Sequence, residues 1–317
     1  MYVLCVGMYR ACSTWQYEVA SHLLERHRSA RRLGYVPGAA FREMERAGGP
    51  GRGWAILKSH DEDPRFLPAL EQGRALVLYA YRDLRDVAFS LAHKRGTTLE
   101  GIVRQGMLHQ ILANDRCWTA QPRERRLSQR YESLLDNPAG GVRELAAFLG
   151  IRLASGEAEA VAAEYSLEAN RQRTRELGRK LVEQGVDLTD PTNVQRCDNH
   201  TLLHWNHVRD GRIGGWREQA RPRQRALLAR FCGRWLIERG YEDDLAWAGP
   251  AGNPLRRISG ELAVARSWWT YQAARQSRLR PGLARMLRGA PPEAAAPHAG
   301  RPHAPAPAKS REGQAAP

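Results

Sequence analysis

The chain has 317 residues, of which 42% are hydrophobic and 26% charged, and it carries a formal net charge of +15. This length can bury a core sufficient for one large α/β domain with a tail, or for two small domains. No stretch of about 18 consecutive apolar residues occurs, which excludes an ordinary membrane-spanning helix.

The net charge and the cysteine content limit which binding partners and which cellular compartment are expected. The basic excess makes acidic partners the first expectation, but 45 of the 49 basic residues are arginine, a bias that a GC-rich coding sequence also produces. The five cysteines show no paired spacing and no Cys-x-x-Cys motif, which argues against a disulfide framework or a structural zinc site. The N-terminus lacks a basic segment followed by a long apolar run, so we expect a cytoplasmic protein.

The first predicted element is a short apolar strand at residues 2–6, followed by a tight loop and a helix near 13–27. A strand that leads into a helix N-terminus forms an anion site, because unpaired backbone N–H groups and the positive end of the helix dipole point at one spot. Ser13 and Thr14 add hydroxyl donors there, and Arg10 adds a fixed positive charge. Both hydroxyl residues are also typical helix caps, a role that can coexist with phosphate binding.

Two further strands are predicted near residues 54–58 and 74–81, and the second of them runs into a helix near 83–94. Arg82 closes this strand, and Ser90 lies two turns along the helix. This spacing fits a second phosphate, and a mononucleotide with phosphates at both ends of its ribose would need two such sites.

The remaining elements continue the alternation of strand and helix. A strand is predicted near residues 126–131, and helices near 99–117, 137–149, 157–184 and 222–239. Residues 28–53 and 185–217 are expected to form long excursions over the sheet edge, where such folds keep their acceptor loops. The alternation predicts the α/β class, with a central parallel sheet flanked by helices.

The C-terminal segment differs in character from the rest. A helix is predicted over residues 253–289, and its apolar residues recur at helical spacing: Leu255, Ile258, Leu262, Ala265 and Trp269. With the neighbouring arginines, this stripe indicates either a basic amphipathic helix for a membrane surface or acidic glycan, or a helix that packs back on the domain. Residues 290–317 are rich in Ala and Pro, and we expect disorder there. The predicted organisation is a domain at 1–250, a helical extension at 253–289 and a tail at 290–317.

Four segments resemble, in order, the motifs of the sulfotransferases that use 3′-phosphoadenosine 5′-phosphosulfate (PAPS), and the resemblance covers most of residues 1–245. Residues 8–15 stand in register with the family's Tyr-Pro-Lys-Ser-Gly-Thr-Thr-Trp loop, and residues 82–90 match its Arg-Asp-Pro-Arg-Asp-Val-Ala-Val-Ser motif. Residues 131–150 are similar to its Tyr-Glu-Asp-Leu…Asp-Pro…Phe-Leu-Gly stretch, and residues 209–217 to its late Arg-Lys-Gly-x-x-Gly-Asp-Trp-Lys loop. The resemblance implies a P-loop-like sulfotransferase architecture.

The resemblance also implies which residues contact the sulfuryl donor. They are Arg10, Ala11, Cys12, Ser13, Thr14 and Trp15 on the first loop, Arg82 and Ser90 at the 3′-phosphate, Tyr131 at the adenine, and Arg209, Asp210 and Gly211 on the loop that closes over the 3′-phosphate. Trp15 and Tyr131 fit the protein core equally well. Arg10 stands where the family has Lys, and Cys12 stands where it has a Gly that often permits an unusual backbone angle.

The same resemblance implies the chemistry. Residues 56–61 are similar to the family's Lys-Thr-His segment, which places a base next to the donor, so His60 is the candidate general base. Lys58 and Arg10 then balance the negative charge that develops on the leaving phosphate. We expect PAP (3′-phosphoadenosine 5′-phosphate) as product and neither a metal nor a nucleic-acid partner. The expected acceptor is a small molecule, lipid or saccharide that offers a hydroxyl or, as the second choice, an amine.

Two alternative functions and one alternative site remain open at this point. A phosphate-loop kinase shares the strand–loop–helix opening, but its Gly-x-x-x-x-Gly-Lys-Ser/Thr motif and magnesium carboxylate are not seen. A catalytically degraded binder of polyanions would explain the departures from the family pattern. His200, His204 and His207 recur at helical spacing, but no nearby Cys or paired carboxylate supports a zinc site.

Overall fold

A five-stranded, wholly parallel sheet forms the centre of the computed structural model, which describes residues 1–190, 192–193, 196–208, 211–249 and 254–279. The strand order is β2-β3-β1-β4-β5. The strands are β1 (Tyr2–Cys5), β2 (Ala30–Tyr35), β3 (Trp54–Lys58), β4 (Ala75–Tyr81) and β5 (Arg126–Arg130). The α/β class with a parallel sheet, predicted from the alternation of strands and helices, is confirmed.

Helices cover both faces of the sheet. They are α1 (Ser13–His27), α2 (Gly38–Arg46), α3 (Leu67–Glu71), α4 (Leu84–Lys94), α5 (Leu99–Arg104), α6 (Met107–Thr119), α7 (Tyr131–Asp136), α8 (Pro138–Phe148), α9 (Glu157–Glu164), α10 (Leu167–Glu183), α11 (Trp216–Gln219), α12 (Pro222–Glu238) and α13 (Pro254–Leu279). Alternate residues of β1 point to opposite faces: Leu4 joins a core with residues of α4, α6 and α12, and Val3 joins a second core with residues of α1, α8 and α9. Burial on both faces explains the continuous apolar runs of the central strands.

Three of the differences between the observed elements and the predicted ones have a clear physical reason. Strand β2 lies inside the predicted excursion at 28–53, because an edge strand half open to solvent carries Arg31 and Arg32 instead of an apolar run. The helix predicted at 99–117 divides at Gly106, which has a φ of 72°. The helix predicted at 157–184 divides where the Ser166 hydroxyl accepts a hydrogen bond from the Ala169 N–H at 3.2 Å and caps α10.

The order of the strands places a crevice at the carboxyl end of β1. Strand β1 lies between β3 and β4, and the chain leaves β1 on one side and later returns on the other, which is the usual binding position in open parallel sheets. After β1 the chain continues along β4, with the Met8 N–H donating to the Ala80 carbonyl at 2.8 Å. A Cβ at Gly7 would lie 2.8 Å from backbone atoms of Ala80, so this close approach requires glycine.

Helix α13 packs on the domain through a face other than the predicted apolar stripe. A Cβ at Gly106 would lie 2.7 Å from the Tyr271 backbone nitrogen, and the Val264 carbonyl lies 3.2 Å from His109 Nε2. The stripe itself faces outward, with Ile258, Leu262 and Trp269 exposed by 58%, 60% and 72%. The alternative in which this stripe packs back on the domain is therefore wrong. Residues 280–289 of the predicted helix and the predicted tail at 290–317 lie outside the described residues.

Along the parts of the chain that the structure describes, no helix combines the length and the apolarity needed to cross a membrane.

Candidate active site

The first loop delivers an uncapped helix N-terminus to the crevice. Cys12, the residue before α1, has a φ of 59°, and Arg10 has a φ of 61°, both in the left-handed region that favours glycine. Helix α1 has no side-chain cap and no acidic residue in its first turn, so its first N–H groups and positive dipole end remain available to an anion. Ser13 and Thr14 are buried at this end. The positive φ that the family's glycine permits is therefore present at position 12, although the residue there is a cysteine.

The end of β3 brings Lys58 and His60 beside this loop. The ammonium group of Lys58 is buried and donates a hydrogen bond to the Thr14 hydroxyl, and burial lowers the pKa of Lys58 to about 8. His60 Nδ1 lies 2.8 Å from the Gly7 carbonyl oxygen, which can only accept, so Nδ1 carries the hydrogen and Nε2 is left as an acceptor. Burial, with a contribution from the Lys58 charge, lowers the pKa of His60 to about 3, which keeps the ring neutral.

Arg10 joins the first loop to α4. Its Nε donates to the hydroxyl oxygen of Ser90 at 2.9 Å, across 80 residues of sequence. The sequence predicted that these two segments form one site, and this hydrogen bond brings their side chains together.

Arg82, predicted to bind the second phosphate, is held by groups from three segments of the chain. Its NH1 group donates to the Arg10 carbonyl at 3.3 Å, its NH2 group donates to the Arg212 carbonyl at 2.5 Å, and its guanidinium lies 4.2 Å from the centre of the Tyr131 ring. The Nε atom of Arg82 is buried and has no hydrogen-bond partner among the described residues. A buried donor without a partner is costly, so this atom is available to a ligand.

The late loop closes on the same point. The Tyr131 hydroxyl donates to the Gly211 carbonyl at 3.1 Å, and the Asp86 carboxylate accepts from the Gly214 and Trp216 N–H groups at 2.7 and 2.9 Å. Gly211 therefore lies beside Tyr131, whereas Arg209 and Asp210 fall outside the described residues.

Sequence reasoning gave no role to Arg85 and Asp86, although they hold the late loop. The fully buried Arg85 lies 3.9 Å from the ring centre of Trp216 and 4.4 Å from that of Trp247, and it pairs with Asp83 at 2.7 Å. The sequence feature that could have revealed them is a pair of charged residues at the buried start of an otherwise apolar helix.

Two of the predicted donor residues have most of their side chains in the core. The Ala11 side chain is fully buried, so only its backbone can contact a ligand. Trp15 is partly buried and borders the second core cluster, and its ring would lie 3.4 Å from a Cβ at Gly141.

The acidic residues after His60 are engaged by neighbouring helices. The Asp61 carboxylate accepts from Gln110 of α6 at 2.6 Å. The Glu62 carboxylate accepts from the Tyr271 hydroxyl at 2.5 Å and from Arg275 Nε at 2.8 Å, both on α13. Helix α13 is thus connected directly to the loop that carries His60.

Residues 196–208 bring titratable groups close enough to Lys58 and His60 to influence their charges. Cys197 and His204 form an antiparallel bridge, and the His204 and His207 rings stack at 5.6 Å. Burial, together with the charges of Arg10, Lys58 and Lys94, holds the pKa of His207 well below its usual value. Within the described ranges, no group of three or more His, Cys, Asp and Glu side chains is arranged to hold a metal ion.

Comparison with known proteins agrees with this geometry. The family model described as a sulfotransferase domain matches residues 3–240. A search of curated proteins found no match. Mouse sulfotransferase SULT7A1, solved in complex with PAP, is 15% identical and matches over 76% of this chain and 88% of its own, with a TM-score of 0.52. Retinol dehydratase, solved in complex with androsterone and the inactive cofactor PAP, is 17% identical and matches over 74% of this chain and 80% of its own, with a TM-score of 0.51. At these identities the two structures establish likeness of fold.

Proposed function

We propose that this chain, which belongs to the sulfotransferase domain family, uses PAPS and transfers its sulfuryl group to a hydroxyl group, or as the second choice an amine, of a small molecule, lipid or saccharide. The observation that carries this proposal is the convergence of Arg10, Ser90 and Arg82 at one edge of the sheet. Two anion positions then lie close enough for one nucleotide with phosphates at both ends of its ribose. Both similar structures were solved in complex with PAP, which supports this choice of donor.

The 3′-phosphate is assigned to Arg82, Ser90 and the late loop. Arg82 is held in place by two backbone carbonyls and by the Tyr131 ring, and its unpartnered Nε supplies a preorganised donor. Gly211 borders this position, and Arg209 and Asp210 belong to the same loop in the proposal. Tyr131, which the resemblance assigns to the adenine, connects the two by its ring contact with Arg82 and its hydrogen bond to Gly211. Because these groups are already fixed, little side-chain entropy is lost when the phosphate binds.

The 5′-phosphosulfate is assigned to the N-terminus of α1. The backbone of Ala11 and Cys12 and the hydroxyls of Ser13 and Thr14 surround the open N–H groups, and Trp15 borders the adenine side. Arg10 and Lys58 supply positive charge to the phosphate that is released, where charge increases as the sulfur–oxygen bond breaks. Arg10, Lys58 and Arg82 together place three fixed positive charges around the donor, so the proposal calls for no metal.

His60 is assigned as the general base. The Gly7 carbonyl holds the Nδ1–H tautomer at 2.8 Å, so Nε2 can accept the proton of the acceptor hydroxyl. The Lys58 charge lowers the pKa of His60, and an anionic donor beside Lys58 offsets that effect. His60 therefore becomes a stronger base once the donor is bound.

We also propose a cytoplasmic protein whose helix α13 contacts an anionic membrane surface. Ile258, Leu262 and Trp269 form an exposed apolar stripe, and the exposed Arg257 and Arg266 flank it. Co-sedimentation with phosphatidylserine vesicles tests this contact, and we expect Trp269→Glu to abolish it. Retention on heparin without vesicle binding would instead indicate the acidic glycan.

The activity is tested by incubating the protein with sulfur-labelled PAPS and a panel of phenols, aliphatic alcohols, sugars and amines. We expect label to appear on at least one hydroxyl-bearing acceptor, with PAP released in equal amount. Magnesium-dependent ATP turnover in place of sulfate transfer would indicate the kinase. Retention on heparin at saturating PAP, without sulfate transfer, would indicate the degraded polyanion binder.

A further inference from the structure

Helix α13 contacts the loop that carries His60, although it lies beyond the part of the chain that matches the family, residues 3–240. The Tyr271 hydroxyl donates to the Glu62 carboxylate at 2.5 Å, and Arg275 Nε donates to the same carboxylate at 2.8 Å. Glu62 follows His60 by two residues. A helix without a family motif is therefore bonded to the segment that carries the proposed base.

The loop after β3 is held by side chains of other elements. Residues 59–63 form neither helix nor strand, so no regular ladder of backbone hydrogen bonds fixes them. Helix α6 holds one side of this loop, where Gln110 donates to Asp61 at 2.6 Å and the Glu62 N–H donates to the Asn114 side-chain oxygen at 2.9 Å. The Glu62 carboxylate is left for α13, which supplies the remaining support.

Tyr271 is itself firmly placed. Its side chain is only 4% exposed, and its backbone nitrogen would lie 2.7 Å from a Cβ at Gly106, so α13 lies directly on the start of α6. The His109 ring lies between its neighbours, 6.4 Å from the Tyr271 ring centre and 5.3 Å from that of Trp268. A packed tyrosine loses little further freedom when its hydroxyl bonds, and its bond to the Glu62 carboxylate is charge-assisted.

The orientation of His60 depends on where this loop lies. Its Nδ1 donates to the Gly7 carbonyl at 2.8 Å, and its ring centre lies 4.5 Å from that of Tyr9. The Tyr9 hydroxyl donates in turn to the Asp61 carboxylate at 3.4 Å. A displacement of about 1 Å is enough to break the bond at Nδ1, which leaves Nε2 as the acceptor. Contacts that fix the loop therefore fix the base.

We propose that Tyr271 is a positioning residue for sulfuryl transfer, because its hydrogen bond to Glu62 holds His60 in the orientation that presents Nε2 to the acceptor hydroxyl. This inference rests on the proposed function, in which His60 is the base. The role is indirect, since Tyr271 acts through Glu62 on the segment of His60. It gives α13 a part in the reaction that the motifs of the family do not contain.

The test is a double-mutant cycle of Tyr271→Phe and His60→Ala, measured with sulfur-labelled PAPS and the member of the acceptor panel that is labelled fastest. Tyr271→Phe keeps the packed ring and removes the hydroxyl, so we expect kcat to fall about 10-fold with PAP affinity unchanged. On the His60→Ala background the same change should alter the residual kcat by less than about 2-fold, because no base is left to misplace.

Tyr79→Phe is the matched control. The buried Tyr79 hydroxyl donates to the Asp115 carboxylate at 2.7 Å, so this variant loses a bond of the same kind at a distance from the His60 loop along the chain. We expect its kcat to stay within about 2-fold of the wild type.

Two results overturn the inference. One is a kcat of Tyr271→Phe within about 2-fold of the wild type, and the other is an equal loss in the His60→Ala background, which would leave Tyr271 a role in stability alone. If the wild type labels no member of the panel, the proposed function fails by itself, and ¹⁵N NMR of the His60 ring decides the positioning role. We expect the Nδ1–H tautomer in the wild type and a mixture with the Nε2–H tautomer in Tyr271→Phe. An unchanged Nδ1–H signal in Tyr271→Phe would then contradict it.

Discussion

The two sides of the crevice are held in different ways. The proposed donor side, formed by the first loop, the start of α4 and the late loop, is fixed by charged groups that satisfy one another, such as Arg85 with Asp83 and Asp86 with two backbone N–H groups. The loop that carries His60, where the acceptor is proposed to bind, is instead held by α13, through the bonds of Tyr271 and Arg275 to Glu62.

This difference separates what the fold requires from what a substrate requires. The residues assigned to the donor lie in segments that match the family's motifs, because both the fold and the nucleotide constrain them. Acceptor-side groups come from segments without motifs, and α13 lies beyond the matched residues 3–240. The acceptor therefore has to be inferred from the chemistry of individual side chains and not from sequence motifs.

The largest effect is expected at the point where the two sides meet. His60→Ala removes the group assigned to accept the hydroxyl proton, so we expect kcat to fall about 100-fold to 10,000-fold while PAP affinity is unchanged. Steady-state sulfate transfer and PAP titration measure the two quantities. The exposed His200, changed to Ala, is the control. If activity instead falls in proportion to PAP affinity, His60 has a structural role and is not the base.

The donor side is tested next through the late loop. Asp86→Ala leaves the Gly214 and Trp216 N–H groups without their acceptor, so we expect PAP affinity to fall about 10-fold and the free energy of unfolding to fall by about 3 kcal/mol. Nucleotide titration and denaturant unfolding check this, and Asp86→Asn, which keeps an acceptor oxygen, should lie between. Unchanged PAP affinity in a destabilised Asp86→Ala protein would remove the late loop from the donor site.

Titration of Lys58 offers a smaller test of the donor side. Burial lowers the pKa of Lys58 to about 8, so its charge is present below that pH and is lost as the pH rises through it. Because the anionic nucleotide binds the charged form, we expect PAP affinity to fall about 10-fold between about pH 7 and pH 9.5. Calorimetry at constant ionic strength measures the fall. A wild-type curve as flat as that of Lys58→Met would contradict the assignment.

The smallest expected effect concerns the strained backbone at Cys12. At a φ of 59° a glycine avoids the steric cost that a Cβ imposes, so Cys12→Gly should raise the free energy of unfolding by about 1 kcal/mol. Cys12→Ala keeps the Cβ and should leave stability unchanged in the same denaturant experiment. Equal effects of both substitutions would show that the thiol, not the backbone angle, matters.

Much of the donor side could be predicted from the sequence because its signals are local. A strand that enters a hydroxyl-opened helix predicts an anion site, and Arg82 and Ser90 sit on one contiguous strand–helix segment. The end of a parallel strand places His60 at the same edge. Each of these inferences needs only a short window of sequence and the geometry of parallel sheets.

The rest depended on contacts that no short window contains. Strand β2 carries polar residues because it is an edge, so it lacked an apolar signal. Arg85 shows no role in the sequence until Trp216 and Trp247, more than 130 residues further along the chain, pack against its guanidinium. The apolar stripe of α13 was visible, but which face of the helix packs was decided by the close approach at Gly106.

We propose that one site holds a nucleotide by phosphates at both ends of its ribose. The sharpest test is to titrate the wild type and Arg82→Ala with PAP and with adenosine 5′-phosphate. The account predicts that PAP binds far more tightly to the wild type and that Arg82→Ala removes about 2 kcal/mol of this advantage. Adenosine 5′-phosphate affinity should stay the same in both proteins, and Arg104→Ala, at an exposed arginine of α5, should behave as wild type. Equal affinity of the wild type for the two nucleotides, or a PAP advantage that Arg82→Ala leaves intact, would contradict it.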